Sequence, residues 1–505
     1  MRFPENLTNS LLPKLEQIQA SLGVLAPEGF LAALFLLLLL LGLIRSEIVS
    51  RFLPWLTASG LAAIIVFQLA ANTNSLPETF GKMLVADGLA NYGLVLFSAA
   101  GILTILLSSF YKPLQEKTGR SEYFAFIVLI VLGLSFMAKA VNLLFLFLAI
   151  ETVSIASYFL TLRLRKEKPA AEAALKYLLF GAVAAGIMLY GMSFLYGFTQ
   201  SLQFTDISFW QKLSLVPKPI LTMALALTFG GFLFKLAAFP FQFWAPDVYE
   251  GAPTPVVAFF STAPKAAILI VLIRFVTVLD HAILAPHFQN LFLIIAGFAF
   301  FTMLAGNFTA LWQTNLKRLL AYSSVAHAGL LLAAILLPAE TRNATILFYT
   351  TILLFSNFGL FLIIQTTEEI TNSNAINSLS GLGREFPFLG ISATVFIISL
   401  TGLPPTAGFT AKLFLFTGLW ENYAATKENW YLILLLSGLL FTAVALFYYV
   451  KLPFYMFFRK TEVVPAGKFG LAPKLLVTLL LIPVVYFFFR SDALLDFIQG
   501  LMNGN

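Results

Sequence analysis

The sequence predicts an all-α, polytopic membrane protein of about fourteen transmembrane helices, and three features predict it. Hydrophobic residues make up 59% of the chain and charged residues only 11%, where a soluble domain would carry about a quarter. Mean hydropathy is +0.90, so the chain needs a solvent that is itself apolar. Finally, apolar runs close to the ~20 residues that cross a bilayer follow one another almost end to end. Residues 1–505 read as a single membrane domain.

In chain order the runs cover 28–44, 55–72, 90–109, 123–137, 141–162, 174–198, 221–243, 256–279, 289–305, 319–337, 344–366, 388–417, 430–455 and 473–489. The polar first ~25 residues lead into Pro27 and a full-length apolar run, so the first helix is expected to act as its own insertion signal. Short loops separate the runs, and Lys and Arg concentrate in alternate loops. One set holds Arg45 and Arg51, then Lys112, Lys117 and Arg120, then Arg163, Arg165, Lys166, Lys168 and Lys176. It continues with Lys317, Arg318, Arg384, Arg459, Lys460, Lys468 and Lys474. The richer set should face the cytoplasm, which puts both termini on the outer side of the membrane. The formal charge of +7 belongs to this topology and does not point to nucleic acid.

A weak internal repeat runs through the helices. The fifth to eighth runs resemble the tenth to thirteenth: a polar-marked helix, an aromatic-rich one, then one broken by Pro and Gly that carries a lysine. Copies five helices apart would be inverted across the membrane, an arrangement that transporters use with broken helices near the midplane.

Four ionisable residues inside the runs stand out: Glu151, Lys235, Lys265 and Lys412. A charged residue at a helix centre costs ~2.5–3.5 kcal/mol on insertion scales, a cost that a purely structural helix avoids. Lysines near helix ends can instead extend to the headgroups, and this alternative stands for Lys235 and Lys412. Lys265 lies near the middle of its run. An amine removed from water loses part of its preference for the charged form, so it can load and release a proton near neutral pH. A carboxylate beside it restores that preference, and Glu151 next to Lys235 would make such a pair; alternatively, Glu151 only holds two helices together. Pro240 follows Lys235, and Pro404, Pro405 and Gly408 precede Lys412. Proline removes a backbone donor, and the freed carbonyls need water or protein partners inside a membrane.

His327 sits one turn from Ser323 and Ser324 in a predicted helix, where it is either a satisfied structural residue or a proton relay. His281 and His287 fall in a loop. The chain has no cysteine, which excludes disulfides, cysteine-ligated iron–sulfur clusters and thiol catalysis. It also lacks a phosphate loop, a GxGxxG fingerprint, an HExxH motif and a Ser-His-Asp signature.

The segments FKLAAFPFQFWAPDVYEGAPTP (234–255), STAPKAA (261–267), NLKRLLAYSSVAHAG (315–329) and GLPPTAGFTAKLFLF (402–416) resemble the antiporter-like subunits of respiratory complex I. PDVYEGAPTP, ETVSIASYFL (151–160) and ALKYLLFGAVAAGIMLYG (174–191) look like the N-type subunit of bacterial NADH–quinone oxidoreductase, called subunit 2 in organelles. The resemblance implies fourteen helices with two inverted five-helix repeats, each with a broken helix. Its boundaries fall at 1–120 for three N-terminal helices, 121–288 and 289–460 for the repeats, and 461–505 for a C-terminal helix.

By the same resemblance, Glu151 pairs with Lys235, Lys265 sits centrally on a polar axis, Lys412 faces the exit half-channel and His327 is the tenth-helix histidine. Protons would enter from the cytoplasm near Lys235, pass Lys265 and leave past Lys412. Quinone reduction elsewhere in the complex would drive them. The chain would then be a translocase subunit of the bacterial inner membrane with no redox site or cofactor of its own. NADH, flavin, iron–sulfur clusters and quinone belong to its partners, the other membrane subunits among them. Gln242 stands where the family often has His and cannot titrate. The resemblance leaves room for a related hydrogenase, thylakoid or cation/proton antiporter complex, and for a scaffold that does not pump.

Overall fold

The computed structural model describes residues 22–44, 46–70, 76–79, 81–115, 120–163, 168–280, 288–460 and 469–503. His281 and His287 lie outside the described residues, as do Arg45, Lys117, Arg165, Lys166 and Lys468. Helices α1 (Ala26–Leu43) and α2 (Glu47–Ala70) are followed by an antiparallel hairpin, β1 (Leu76–Thr79) and β2 (Leu84–Ala86). The hairpin qualifies the all-α expectation. It is anchored where the Val141 N–H donates to the Met83 carbonyl at 3.1 Å.

Next come α3 (Gly88–Ser109), the single turn α4 (Lys112–Gln115), α5 (Arg120–Lys139), α6 (Leu143–Arg163) and α7 (Lys168–Thr199). The short α8 (Ile207–Ser214) leads to α9 (Lys218–Leu236), α10 (Trp244–Gly251), α11 (Thr254–Phe260) and α12 (Ala263–Leu279). Then follow α13 (Gln289–Leu311), α14 (Leu316–Ala334), α15 (Ala339–Thr371), the turn α16 (Leu382–Glu385), α17 (Pro387–Thr401), α18 (Ala407–Thr426) and α19 (Asn429–Phe458). Two helices, α20 (Leu471–Phe489) and α21 (Ser491–Asn503), end the described chain, where a single one was expected.

Among the described residues twelve helical stretches are long and apolar enough to cross a membrane, and they match twelve of the expected runs. The thirteenth is α14, made less apolar by Lys317, Arg318, Ser323, Ser324 and His327. The fourteenth, 388–417, is not one helix: α17 stops at Thr401 and α18 starts at Ala407. Two further runs need correction. The helix in 221–243 ends at Leu236, and 256–279 is interrupted at Ser261 and Thr262. Hydropathy registers apolar composition through these breaks, whereas Pro240, Pro264, Pro404 and Pro405 remove the donors that a continuous helix needs.

Lipid-facing helices are apolar on the outside. On α20, Leu471, Leu475, Leu479, Ile482, Tyr486 and Phe489 are all exposed. Hydroxyls within the bundle bond back to carbonyls one turn earlier, as Thr104 does to Ala100 and Ser157 to Val153 at 2.7 and 2.6 Å, so they need no water. The α11–α12 stretch and α15 are almost wholly buried and form the centre of the bundle. Lys265 projects from that centre.

Candidate functional site

Lys235 lies in the last turn of α9, which Ala237 ends in a left-handed conformation at φ 55°. The Ala238 N–H closes back on the Leu233 carbonyl at 2.8 Å, and Trp244 Nε1 donates to the Phe234 carbonyl at 2.8 Å, which also accepts from the Ala237 N–H. Lys235 is 9% exposed, and its amine is buried with no hydrogen-bond partner among the described residues. Instead it lies 5.7, 5.7 and 5.6 Å from the ring centres of Tyr158, Tyr177 and Phe234. Desolvated cation–ring contacts of this kind contribute up to about 2 kcal/mol.

Glu151, the expected partner, makes no direct contact with the amine. The carboxylate is only partly buried and acts on Lys235 through space, with no contact within 4.0 Å. Tyr158 lies in the field of Glu151 and beside the amine, so an aromatic wall takes the place of an ion pair.

The break at Ser261 and Thr262 puts Lys265 in the first turn of α12. Its Nζ donates to the Ser324 carbonyl at 3.0 Å and to Ser324 Oγ at 2.6 Å. One turn along α14, His327 Nδ1 is 2.8 Å from the Tyr349 hydroxyl and Nε2 is 3.4 Å from that of Tyr449. Tyr449 also bonds Ser323, and the Tyr448 hydroxyl donates to Asn307 Oδ1 at 3.3 Å. Two small cavities of about 10 Å³ flank the imidazole. One is lined by Lys265, Ser324 and Asn357, the other by Lys412, Asn307 and Tyr448, and His327 borders both. Each has about the room that one water needs, with a few polar side chains in a mostly apolar wall to hold it.

Lys412, 4% exposed, donates to the carbonyls of Leu400 and Thr401 at 3.2 and 2.7 Å. It thus caps the C-terminal end of α17, where the unpaired carbonyls and the helix dipole favour a cation. Gly402 makes this possible: its φ is +84°, and a Cβ there would come within 2.5 Å of Lys412 Cδ.

The structure thus brings Lys265, His327 and Lys412 into one polar seam, with Lys235 in a chamber of rings beside it. Gln242 is buried, and its Oε1 has no partner among the described residues.

Sequence reasoning missed the ring residues and a set of saturated ion pairs. Lys139 and Glu28, both 2% exposed, meet at 2.7 Å, and Ser135 donates to the same carboxylate. Arg274 grips Asp87 with two nitrogens at 2.7 and 2.8 Å, and Arg342 grips Asp280 at 2.8 and 2.9 Å. Lys317 pairs with Glu368 at 3.0 Å. Arg274 and Glu28 fall inside apolar runs, which was the available signal.

Above Lys235, Asp247 on α10 accepts from Lys176 at 2.9 Å and Arg318 at 2.8 Å. Burial alone would raise the Asp247 carboxyl, but the hydrogen bonds and charges of Lys176 and Arg318 prevail and hold it below the usual carboxylate range. Among the described residues no cluster of three or more His, Asp or Glu side chains could hold a metal ion.

Comparison with known proteins gives this geometry a family. The family described as "NADH:quinone oxidoreductase/Mrp antiporter, TM" matches residues 140–444. The NADH-quinone oxidoreductase subunit N of Chlorobium chlorochromatii is 36% identical over 95% of this chain and 94% of its own length. NAD(P)H-quinone oxidoreductase subunit 2 of Thermosynechococcus vestitus is 36% identical over 86% of this chain and 81% of its own. A chain of respiratory complex I from Thermus thermophilus superposes with a TM-score of 0.78 at 29% identity, over 95% of this chain and 100% of that one. A chain of the Mrp complex from Dietzia shares the fold at a TM-score of 0.79 and 18% identity, over 95% of this chain and 97% of that one. The chain belongs to the NADH:quinone oxidoreductase/Mrp antiporter family, within the group of chains named subunit N.

Proposed function

We propose that this chain is a proton-translocating membrane-arm subunit of an NADH–quinone oxidoreductase, set beside other antiporter-like subunits in a bacterial inner membrane. In this reading all fourteen runs span the bilayer, α14 and the broken α17–α18 included, and both termini lie outside. Residues 121–288 and 289–460 are its two inverted repeats. NADH, flavin, iron–sulfur clusters and quinone sit in partner subunits. Protons enter from the cytoplasm at Lys235, where Glu151 sets the local field, then pass to Lys265, on through His327, and leave past Lys412.

One observation carries the reading. The Lys265 amine is 5% exposed and bonded only to the carbonyl and hydroxyl of Ser324, with no carboxylate within 4.0 Å among the described residues. A lysine clamped by a carboxylate stays charged, whereas one held by neutral oxygens can give up its proton when the field around it changes. Lifting one charge against a membrane potential of about 100 mV takes ~2.3 kcal/mol, within reach of such a change.

The test is Lys265→Ala in the assembled complex. Protons moved per electron pair should fall while assembly is largely retained. A wild-type ratio in that variant overturns the lysine relay and leaves a scaffold. Identifying the subunits that copurify with the chain separates this host from a hydrogenase, thylakoid or antiporter complex.

A further inference from the structure

One short helix touches both lysine sites. The first residue of α10, Trp244, caps the broken end of α9 and stacks on Tyr177 at 4.5 Å, beside Lys235. Five residues later, about 7.5 Å along a helix, Tyr249 is wholly buried at the other site. Its hydroxyl donates to Ser324 Oγ at 3.3 Å, and the same oxygen accepts from Lys265 Nζ at 2.6 Å. On the opposite side Tyr249 lies within electrostatic reach of Tyr177, the ring that borders Lys235.

The helix is fixed in this position from two directions. Asp247 binds Lys176 of α7 and Arg318 of α14, and Glu250 accepts from Arg318 at 2.9 Å and from Asn315 at 3.1 Å. Gln242 is buried in the link between α9 and α10, but an amide does not change its protonation as a proton passes. A hydroxyl accepts one proton while donating another.

We propose that Tyr249 is the hydroxyl that passes a proton from the Lys235 side to Lys265, through Ser324. The inference rests on the pumping function proposed above. Ser324 gives its hydroxyl proton to the neutral Lys265 amine, and Tyr249 gives its own to the Ser324 oxygen. The Tyr249 oxygen then takes a proton that the Lys235 ammonium releases through water. As many O–H and N–H bonds form as break: Lys235 ends neutral, Lys265 ends charged, and the phenol never carries charge. Asp247 is the positioning residue that keeps the hydroxyl in line.

The experiment compares Tyr249→Phe, Ser324→Ala, Ser324→Thr and Lys265→Ala in the whole complex in sealed vesicles, reading protons moved per electron pair beside the uncoupled quinone-reductase rate. Tyr249→Phe and Ser324→Ala should each lower the ratio to that of Lys265→Ala. Combining Tyr249→Phe with Lys265→Ala should lower it no further, and Ser324→Thr, which keeps a hydroxyl, should restore it. If Tyr249→Phe fails to assemble, the two Ser324 variants decide: an equal ratio in Ala and Thr overturns the hydroxyl route. A wild-type ratio in Tyr249→Phe overturns it directly, and with Lys265→Ala impaired the pumping function itself survives. A wild-type ratio in Lys265→Ala instead removes both.

Discussion

Replacing Lys412 with Met keeps an unbranched chain one atom shorter and removes its three donors. Two carbonyls at the end of α17, those of Leu400 and Thr401, then lose the partners they have at 3.2 and 2.7 Å. A buried acceptor left unpaired costs about 1–3 kcal/mol. Even the low end gives about 2 kcal/mol for the pair, or roughly a 30-fold change in an opening equilibrium. The amides that report this opening are close by. Gly402 N–H donates to Ile398 and Ser399, and Leu403 N–H to Ile398, at 2.9 to 3.0 Å. Hydrogen–deuterium exchange in the intact complex should therefore speed up at Gly402 and Leu403 by roughly 30-fold or more. Amides in mid-α17 should keep their protection. Lys412→Arg, which still donates, should fall between the two. Unchanged exchange at Gly402 and Leu403 in Lys412→Met would refute the idea that the amine holds the helix break closed.

Two other outcomes follow from the ion pairs. Glu28→Gln leaves the Lys139 ammonium buried without its counter-charge, so the detergent-solubilised complex should lose about 3–5 kcal/mol of heat stability at the α1–α5 contact. Glu28→Gln combined with Lys139→Met should recover most of the loss, and additive losses would show that the pair is not what joins those helices. Asp247 predicts a pH signature: its folded-state value lies below the ordinary 3.8, so its stabilisation is present above that value and disappears as pH falls through the folded value. The stability deficit of Asp247→Asn should accordingly be constant from neutral pH down to about 4 and shrink below it; a deficit that closes nearer neutrality contradicts the depressed carboxyl.

Composition and hydropathy revealed the membrane class because a lipid solvent acts on every residue of a span, and the apolar run at 473–489 reappears almost unchanged as α20. Prolines marked the breaks near Lys235 and Lys412, since proline's lost donor is a local property. The break at Ser261 and Thr262 carried the same signal in Pro264, but the apolar residues on either side, Val256–Phe260 and Ala266–Ile273, hid it within one apolar run. Partner identity was the least legible level. Besides the through-space field of Glu151, Lys235 is bordered by the rings of Tyr158, Tyr177 and Phe234, of which two come from other helices. His327 was visible, but its contacts with Tyr349 and Tyr449 span 22 and 122 residues of sequence, distances that no local pattern encodes.

The way the charges are sorted explains why so few of them are candidates for transport. Arg274 with Asp87, Arg342 with Asp280 and Lys139 with Glu28 each meet a carboxylate through two short contacts. Breaking one such buried pair leaves an uncompensated charge, at about 3–5 kcal/mol, so these pairs fasten helices. Lys265 and Lys412 have only neutral oxygens for partners, and Lys235 has only rings. None of the three meets a carboxylate within 4.0 Å among the described residues. For these amines the charged and neutral forms are separated by desolvation and weak dipoles rather than by a fixed counter-ion, a balance that a moderate field can tip. On the relay proposed above, the fixed pairs are the frame and the three amines without a carboxylate contact are the groups left to exchange protons within it.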